Sequence, residues 1–142
     1  MIAIGSDHGG FDLRQKVMEH LKERGFEYKD YGCVDKSSCD YPIYGAAVAK
    51  AVASGECDRG IVICTTGIGI SMTANKVKGI RCALCGDPVS ARLTREHNNA
   101  NVLAMGAAII GESVALNIVD IFLDTEFSGV ERHQRRVDLI EQ

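Results

Sequence analysis

The feature that most constrains this fold is an uninterrupted apolar run, Gly60–Cys64, which ends at the polar, glycine-containing segment Thr65–Gly69. A strand with one solvent-facing side alternates polar and apolar residues, whereas a continuous apolar run is typical of a parallel strand covered on both faces. The glycines that follow suit a tight turn into a helix. The run therefore predicts a central strand in a sheet that carries helices on both sides.

Similar apolar runs recur along the 142 residues and alternate with segments of helical periodicity. The predicted strands are Ile2–Gly5, Phe26–Asp30, Gly60–Cys64, Ile80–Leu84 and Val102–Met105. The predicted helices are Phe11–Arg24, Ile43–Ala53, a helix from about Gly69, Pro88–Glu96, Ser113–Leu123 and Glu131–Ile140. Strand–helix alternation implies right-handed crossovers. We therefore predict an α/β protein in which residues 1–142 form a single domain, a Rossmann-like, three-layer, doubly wound parallel sheet of about five strands.

One predicted helix, Ser113–Leu123, is apolar on almost every side. A helix of this kind has to be covered, because a solvated helix normally carries a polar face. We therefore expect it to be buried, either in the core or against a second subunit.

Charge and hydropathy argue against several functional classes. The net charge is −3 and the pI is near 5.8, whereas a nucleic-acid-binding domain usually has a basic surface. No apolar run reaches the length needed to cross a membrane. The segment Met1–Gly5 lacks the charged head and long apolar stretch of a signal peptide. We therefore expect a cytoplasmic protein that binds neither nucleic acid nor membrane.

The six cysteines are expected to be free thiols, as is usual in a cytoplasmic chain of this size. Cys82 and Cys85 have the spacing of a zinc or redox pair. A structural zinc site needs about four ligands, and no second Cys/His pair stands at a suitable distance. Two cysteines near the end of a buried strand are the simpler interpretation, and a thiol redox function stays as an alternative.

In a doubly wound sheet the functional site lies at the carboxyl ends of the strands. The predicted elements place three polar clusters there, namely Ser6–His8, Cys64–Gly69, and His97 with Asn98. We expect these clusters to meet at one edge of the sheet.

The segment Cys64–Gly69 brings a thiol to the point where a buried strand meets the first turn of a helix. The first amides of a helix lack partners within it, so they favour the thiolate and would stabilise an oxyanion formed beside it. The segment does not end in Gly-Lys-Ser/Thr, and Met72 stands where a dinucleotide-binding pattern requires a third glycine. The simpler alternative is a turn that needs glycine only for its backbone geometry.

Two further features have a functional and a structural interpretation. Asp7 and His8 could bind a sugar hydroxyl or a phosphate, although Asp commonly serves only to cap a following helix. Arg132 and Arg136 are four residues apart, so they share one helix face and could bind a phosphate together. Arg135 beside them favours an ordinary solvated basic face instead.

Several separate motifs occur in one order along essentially the whole chain. They are Gly5–Gly10, Asp40–Pro42, Ile63–Ser71, Ala74–Lys76, Gly79–Arg81, His97–Asn98, Asn101–Ala104 and Arg132–Arg136. In order and spacing they closely resemble the ribose-5-phosphate isomerase type B family. That family also includes allose-6-phosphate isomerase and the subunits of galactose-6-phosphate isomerase.

The resemblance implies an aldose–ketose isomerase that interconverts ribose 5-phosphate and ribulose 5-phosphate, as in the pentose phosphate pathway, through an enediolate. Cys64 would be the base that takes the proton from C2 and returns it to C1, and Thr66 would hydrogen-bond the reacting oxygens. His97 would be the acid that opens the sugar ring, and Asp7 would hold the ring oxygen or a hydroxyl. The resemblance also implies an anion hole at Thr65, Gly67, Ile68 and Gly69. Phosphate would be bound by His8, Arg132 and Arg136, and a sugar hydroxyl by Asn98. No metal or organic cofactor is implied, and a homodimer or homotetramer with sites between subunits is expected.

The chain departs from the family pattern at two positions. Thr65 follows the cysteine where the family usually has glycine, and Ala108 stands where the family often has arginine. A side chain at position 65 narrows the pocket or adds a hydroxyl, and a missing arginine removes a phosphate ligand. Two alternatives therefore stay open: a hexose 6-phosphate substrate such as allose or galactose 6-phosphate, and a catalytically silent sugar-phosphate binding module.

Overall fold

The computed structural model describes all 142 residues and contains one five-stranded sheet, in the order β2-β1-β3-β5-β4, in which every neighbouring pair is parallel. The strands are β1 (Ile2–Ser6), β2 (Tyr28–Asp30), β3 (Arg59–Cys64), β4 (Cys82–Leu84) and β5 (Val102–Gly106). The predicted α/β sheet of five strands is confirmed. The two edge strands, β2 and β4, each begin two residues later than predicted.

Six helices connect and cover the strands. They are α1 (Phe11–Glu23), α2 (Tyr41–Ala53), α3 (Ile68–Ala74), α4 (Pro88–Asn98), α5 (Glu112–Asp124) and α6 (Glu131–Ile140). Helix α2 begins two residues before the predicted Ile43, because Pro42 occupies the first turn, where its missing N–H costs nothing. A short 3₁₀ turn, His8–Gly10, precedes α1 and had no counterpart in the sequence pattern. None of these helices is both long and apolar enough to cross a bilayer.

Two hydrophobic clusters cover the two faces of the sheet, because successive strand residues point to opposite sides. Ile61 and Ile63 of β3 belong to the cluster that also contains buried residues of α1, α4 and α5. Val62 and Cys64 belong to the cluster built with α2 and α3. The predicted three-layer arrangement is therefore confirmed, and Cys64 lies on the α2/α3 side.

Helix α5 corrects one expectation. It buries only one face, formed by Ala115, Ile118, Val119 and Phe122, against the core. On another face Asp120 forms ion pairs with His20 and Arg24 of the neighbouring helix α1. The helix is therefore amphipathic rather than apolar all round, and its burial within the chain does not require a second subunit.

The direction of winding reverses between β1 and β3. The chain leaves β1 for β2 at one edge of the sheet, whereas it leaves β3 for β4 at the other edge. The carboxyl ends of β1 and β3 are adjacent, since Ser6 is in register with Ile63. Reversal points of this kind form a crevice outside the strand ends. Here the crevice receives Asp7 and Cys64.

Candidate active site

Cys64 is the last residue of β3, and only 5% of its surface is exposed. Its Sγ accepts a hydrogen bond from the Gly67 amide at 3.1 Å. The buried strand fixes the backbone of Cys64, and the following turn brings the amide back onto the sulfur. A hydrogen bond donated to sulfur favours its negatively charged form.

Gly67 makes this turn possible. Its φ of 79° lies in the left-handed region, and a Cβ there would lie 2.7 Å from the carbonyl carbon of Met105 and 2.9 Å from the Gly106 nitrogen. Glycine is therefore required both for the backbone conformation and for the close approach of β5. Helix α3 begins directly afterwards, and the Thr66 hydroxyl oxygen accepts a hydrogen bond from the Ile68 amide at 3.2 Å.

A pocket of about 480 Å³ opens above these residues. Its lining consists of Asp7, Tyr41, Cys64, Thr65, Thr66, Ile68, Gly69 and Met72. The structure thus brings together most of the residues predicted from the first two clusters. Asp7 also caps the 3₁₀ turn, since its Oδ1 accepts a hydrogen bond from the Gly10 amide at 3.2 Å. Asp7 therefore both caps the 3₁₀ turn and lines the pocket.

Sequence reasoning gave no role to two residues of this lining, Tyr41 and Met72. The Tyr41 ring lies against Gly69, where a Cβ would lie 2.6 Å from the ring. The available signal was the segment Asp40–Pro42, which starts α2 next to the pocket. Met72 was considered only as an exception to a dinucleotide-binding pattern.

His8 lies next to Asp7 and is partly buried. Its Nδ1 accepts a hydrogen bond from the backbone amide of Cys39 at 3.2 Å, and the Cys39 sulfur lies 3.8 Å away. Because an amide can only donate, the proton of the neutral ring is on Nε2. Sequence reasoning did not identify Cys39 as a neighbour of His8. We refer to Asp7, His8, Cys64 and Thr66 as the cysteine cluster.

The structure corrects the predicted position of His97 and Asn98. These residues end α4, which precedes β5. In a parallel β-α-β unit the helix returns the chain to the amino edge of the sheet, so its last residues lie opposite the carboxyl ends. The carbonyl of Asn101, just beyond them, pairs with the Gly60 amide at the start of β3. About 13 Å of strand separates Gly60 from Cys64 at the usual rise per residue.

His97 and Asn98 lie instead beside α6, which packs on α4. The rings of His97 and His133 are 4.5 Å apart between centroids. Arg132 and Arg136 are exposed and have no acidic partner, whereas Arg135 pairs with Glu131 at 3.1 Å. Two unpaired guanidinium groups on one helix face are suited to bind an anion. We refer to His97, Asn98, Arg132 and Arg136 as the arginine cluster.

Two buried side chains, His133 and Val137, dock α6, whereas Ile140 at the end of the helix is exposed. Burial lowers the pKa of His133, and the nearby His97, Arg132 and Arg136 lower it further, while Glu96 acts in the opposite direction. His133 also shares a 2.6 Å hydrogen bond with the Ser128 hydroxyl. The neutral imidazole is therefore the form that fits between α4 and α6.

Arg81 holds the end of α4 in place. Its guanidinium donates to the backbone carbonyls of Asn98 and Asn99 at 2.8–3.2 Å and pairs with Glu141 at 2.7 Å. The carbonyls at a helix C-terminus have no partners within the helix, so a cation here is favourable. Arg81 therefore joins α4 to the end of α6 and supports the arginine cluster.

The two departures from the family pattern are neighbours in space. The Ala108 amide donates to the Thr65 carbonyl at 2.9 Å. The Thr65 hydroxyl lies so close to Gly9 that a side chain at position 9 would clash with this hydroxyl. Thr65 therefore lines the pocket next to Gly9, whereas Ala108 lies outside the pocket lining and contacts it through the Thr65 carbonyl.

Cys82 and Cys85 point to opposite sides of the sheet. Cys82 packs against the α2/α3 cluster, whereas Cys85 is a member of the other cluster. Burial raises the pKa of Cys82 to about 12 and that of Cys85 to about 11. These positions do not favour a shared metal or a disulfide between the two thiols.

Comparison with known proteins agrees with this geometry. Residues 2–140 match the family described as Ribose/Galactose Isomerase. Ribose-5-phosphate isomerase B of Escherichia coli is 50% identical over 139 residues, which are 98% of this chain and 93% of that protein. The structure of ribose-5-phosphate isomerase B from Clostridium thermocellum superposes with a TM-score of 0.97 at 54% identity, over 99% of this chain and 94% of that one.

A third relative was solved with a ligand. Ribose-5-phosphate isomerase B from Mycoplasma genitalium with bound ribulose-5-phosphate has a TM-score of 0.93 at 43% identity, covering 99% of this chain and 93% of its own. The ordered motifs, the sheet and these similarities over the full length lead to one conclusion: the chain belongs to the ribose/galactose isomerase family of enzymes.

Proposed function

We propose that this protein interconverts ribose 5-phosphate and ribulose 5-phosphate through an enediolate, with Cys64 as the base. The observation that carries the proposal is the position of the Cys64 thiol, which shares a pocket with Asp7 and Thr66 at the reversal point of the sheet. The bound ribulose-5-phosphate of the relative from Mycoplasma genitalium supports a sugar phosphate as the ligand.

The proposed reaction begins with the Cys64 thiolate, which removes the proton from C2 of the open-chain aldose. The electron pair of the broken C–H bond forms the C1–C2 double bond, and the carbonyl electrons move to the oxygen on C1. The same thiol then returns the proton to C1, while the hydroxyl proton on the C2 oxygen passes to the C1 oxygen, so that C2 becomes the ketone carbonyl and C1 the alcohol. The hydrogen bond from the Gly67 amide supports this role, because it stabilises the charged form of the base.

The enediolate carries negative charge on oxygen, so it needs donors nearby. The Thr66 hydroxyl accepts a hydrogen bond from the Ile68 amide, which leaves its proton free for a substrate oxygen. The amides of Gly67 and Ile68 are already engaged with Cys64 and Thr66. We therefore expect Thr66 to contribute more than these two amides to stabilising the intermediate.

Ring opening needs an acid, and phosphate needs cations. His97 is proposed to protonate the ring oxygen, with Asp7 holding a hydroxyl, and Asn98 is proposed to bind another hydroxyl. Arg132 and Arg136 would bind the phosphate together with His8 of the cysteine cluster. The absence of an acidic partner for both arginines supports this role.

The cysteine and arginine clusters lie at opposite edges of the sheet, so one chain cannot close both around one sugar. We propose that two copies of the chain each contribute one cluster to each site, in a homodimer or within a homotetramer. A two-fold arrangement makes the contact reciprocal. Met72, which lines the pocket and is 63% exposed, and Ile43, which is 64% exposed two residues after Tyr41 of the lining, support an apolar contact there.

The hexose 6-phosphate alternative rests on the two departures from the family pattern at Thr65 and Ala108. Thr65 lines the pocket beside Gly9, the residue after His8, so its side chain changes the space between Cys64 and a phosphate bound by His8. The family description names ribose and galactose together.

The six free thiols support a cytoplasmic location, where cysteines stay reduced.

The test is Cys64→Ala, assayed with ribose 5-phosphate, allose 6-phosphate and galactose 6-phosphate, with Cys57→Ala as a buried control outside the pocket. We expect Cys64→Ala to lose turnover and the exchange of the C2 proton with deuterated water, and Cys57→Ala to retain both. Full activity of Cys64→Ala would disprove the assignment of the base. A wild-type protein that binds sugar phosphate but shows no exchange would be a silent binding module.

A further inference from the structure

A second pair of thiols, those of Cys33 and Cys39, lies near the end of β1, the strand that leads to Asp7 and His8. Cys33 and Cys39 enclose a five-residue stretch of loop, 34–38, that contains neither helix nor strand. The Cys39 sulfur lies 3.8 Å from His8 Nδ1, and an Arg14 nitrogen lies 3.5 Å from the Cys33 sulfur. The amides of both cysteines donate to the segment Ser6–His8, and the Cys33 thiol lies within hydrogen-bonding reach of the Cys39 thiol, so two thiols meet next to a residue proposed to bind phosphate.

Cys33 is held rigidly. It is buried, its amide donates to the Ser6 carbonyl at 3.1 Å, and its carbonyl accepts a hydrogen bond from Arg14. Arg14 is itself 1% exposed and also binds Ser6. Cys33 is thus fixed to the end of β1, the strand that leads to Asp7 and His8.

Cys39 is held much less firmly. It is partly exposed, its amide and sulfur contact His8 Nδ1, and its thiol also interacts with Tyr44 and Cys33. The loop before it has few contacts: Asp35 caps Ser37, and Lys36 pairs with Asp12 in an exposed ion pair. Of the two thiols, Cys39 is therefore the one that can move and the one that a small reagent can reach.

We propose that Cys33 and Cys39 are a reversible disulfide site that reacts with low-molecular-weight disulfides and that, when oxidised, weakens phosphate binding at His8. The second part rests on the function proposed above for His8. The Cys39 thiolate attacks one sulfur of the reagent and releases one small thiol. The Cys33 thiolate then attacks the mixed disulfide and releases the second. Two electrons and two protons pass from the pair to the reagent, which is reduced to two thiols.

The coupling to His8 follows from geometry. A disulfide requires its sulfurs to be about 2.05 Å apart, far closer than two thiols in contact. Because Cys33 is anchored, the approach moves Cys39 and disturbs the amide that donates to His8 Nδ1. That amide keeps the proton of the neutral ring on Nε2, so its loss removes the constraint on the tautomer and orientation of the ring.

The protonation of Cys39 sets the rate of the exchange. Burial raises the pKa of the Cys39 thiol, and the neighbouring Cys33 thiol contributes to the increase. Hydrogen bonding with His8 and with the Tyr44 side chain lowers this pKa. Since the thiolate is the attacking species, we expect slow exchange at neutral pH and faster exchange as the pH rises.

The experiment treats the full-length protein with oxidised glutathione, maps disulfides by peptide mass spectrometry, and measures binding of inorganic phosphate by calorimetry before and after dithiothreitol. We expect a Cys33–Cys39 link with the loss of two hydrogens, and phosphate binding about tenfold weaker, as for one lost hydrogen bond to a charged group. Dithiothreitol should restore the binding. Cys33→Ser should make binding insensitive to oxidised glutathione, whereas the matched control Cys57→Ser should behave like wild type.

Glutathione attached separately to either cysteine, with no link between them, would overturn the site. A Cys33–Cys39 link with unchanged phosphate binding would overturn its coupling to His8. Both measurements are independent of turnover, so they are distinct from a failure of the reduced protein to isomerise sugar phosphates. The mapping uses the wild-type chain, so it decides the question even if Cys33→Ser does not fold.

Discussion

Cys64 and Arg132 belong to the same proposed site, but the chain positions them in different ways. Cys64 ends a central strand, is 5% exposed, and accepts a hydrogen bond from the turn that follows it. Arg132 projects from α6, in which His133 and Val137 are the only buried residues. The cysteine cluster is therefore organised by the backbone of one chain, whereas the two arginines of the arginine cluster are exposed side chains without an acidic partner in that chain.

This difference matches what proton transfer and phosphate binding each require. The position of a base relative to the reacting carbon has to be accurate to a few tenths of an ångström, so the base benefits from a buried strand and a rigid turn. A phosphate is bound mainly through charge, which tolerates flexible and exposed arginines.

The largest effect is expected when one chain carries an inactive cysteine cluster and another chain carries an inactive arginine cluster. Cys64→Ala and His97→Ala should each lower turnover by about 10²–10⁴-fold, the usual contribution of a general acid or base. If each site contains one cluster from each copy, a mixed dimer of the two variants has one intact site. Refolding an equal mixture should then restore about a quarter of the wild-type turnover. No recovery, with mixed dimers shown to form, would place both clusters of a site in one chain.

The second prediction concerns the unpaired arginines. Arg132→Met and Arg136→Met should each raise KM for ribose 5-phosphate about 10–100-fold, with a smaller change in kcat, because each removes a hydrogen bond to a charged group. Arg135→Met is the matched control on the same helix. Its side chain pairs with Glu131, and we expect nearly unchanged steady-state kinetics. Equal effects at all three positions would indicate a general basic surface instead of a phosphate site.

The third prediction tests the rigid turn of the cysteine cluster. Gly67→Ala should lower the free energy of unfolding by about 3 kcal/mol, since the new Cβ meets Met105 and Gly106 in addition to the cost of a positive φ. Gly129→Ala is the control, because Gly129 has φ 70° but nothing within 4 Å of the position of a Cβ. It should cost about 1 kcal/mol. Equal denaturant midpoints for the two variants would show that the backbone of β5 shifts to accommodate the added methyl group.

The smallest effect is a pH dependence of the arginine cluster. The pKa of His133 is lowered in the folded chain, chiefly by burial, so the unfolded chain binds the proton more readily. Stability from this residue is complete above the unfolded pKa of about 6.5 and decreases as the pH falls below it. Denaturant unfolding between pH 7.5 and about 5 should show a shallower pH slope for His133→Gln than for wild type. Identical slopes would mean that His133 does not contribute.

Local patterns in the sequence predicted most of the sheet. The apolar run at Gly60–Cys64 and the glycines after it predicted β3, the turn and α3 within one residue. The helix at Ser113–Leu123 and its packing in the core were predicted, but its polar side was missed, because composition alone could not show that Asp120 lies opposite His20 and Arg24 of another helix. Long-range pairs of this kind depend on packing, which local periodicity does not contain.

Local sequence patterns therefore account for the order of strands and helices, the thiol at the end of the central strand and the pair of arginines four residues apart. Which of these residues meet depends on the tertiary structure. It brought Asp7 to Cys64, because β1 and β3 are neighbours at a point where the winding reverses. It placed His97 at the other edge, because a helix between parallel strands must carry the chain back to the amino end. It also brought Cys39 to His8 through an irregular loop, whose path no periodic pattern describes.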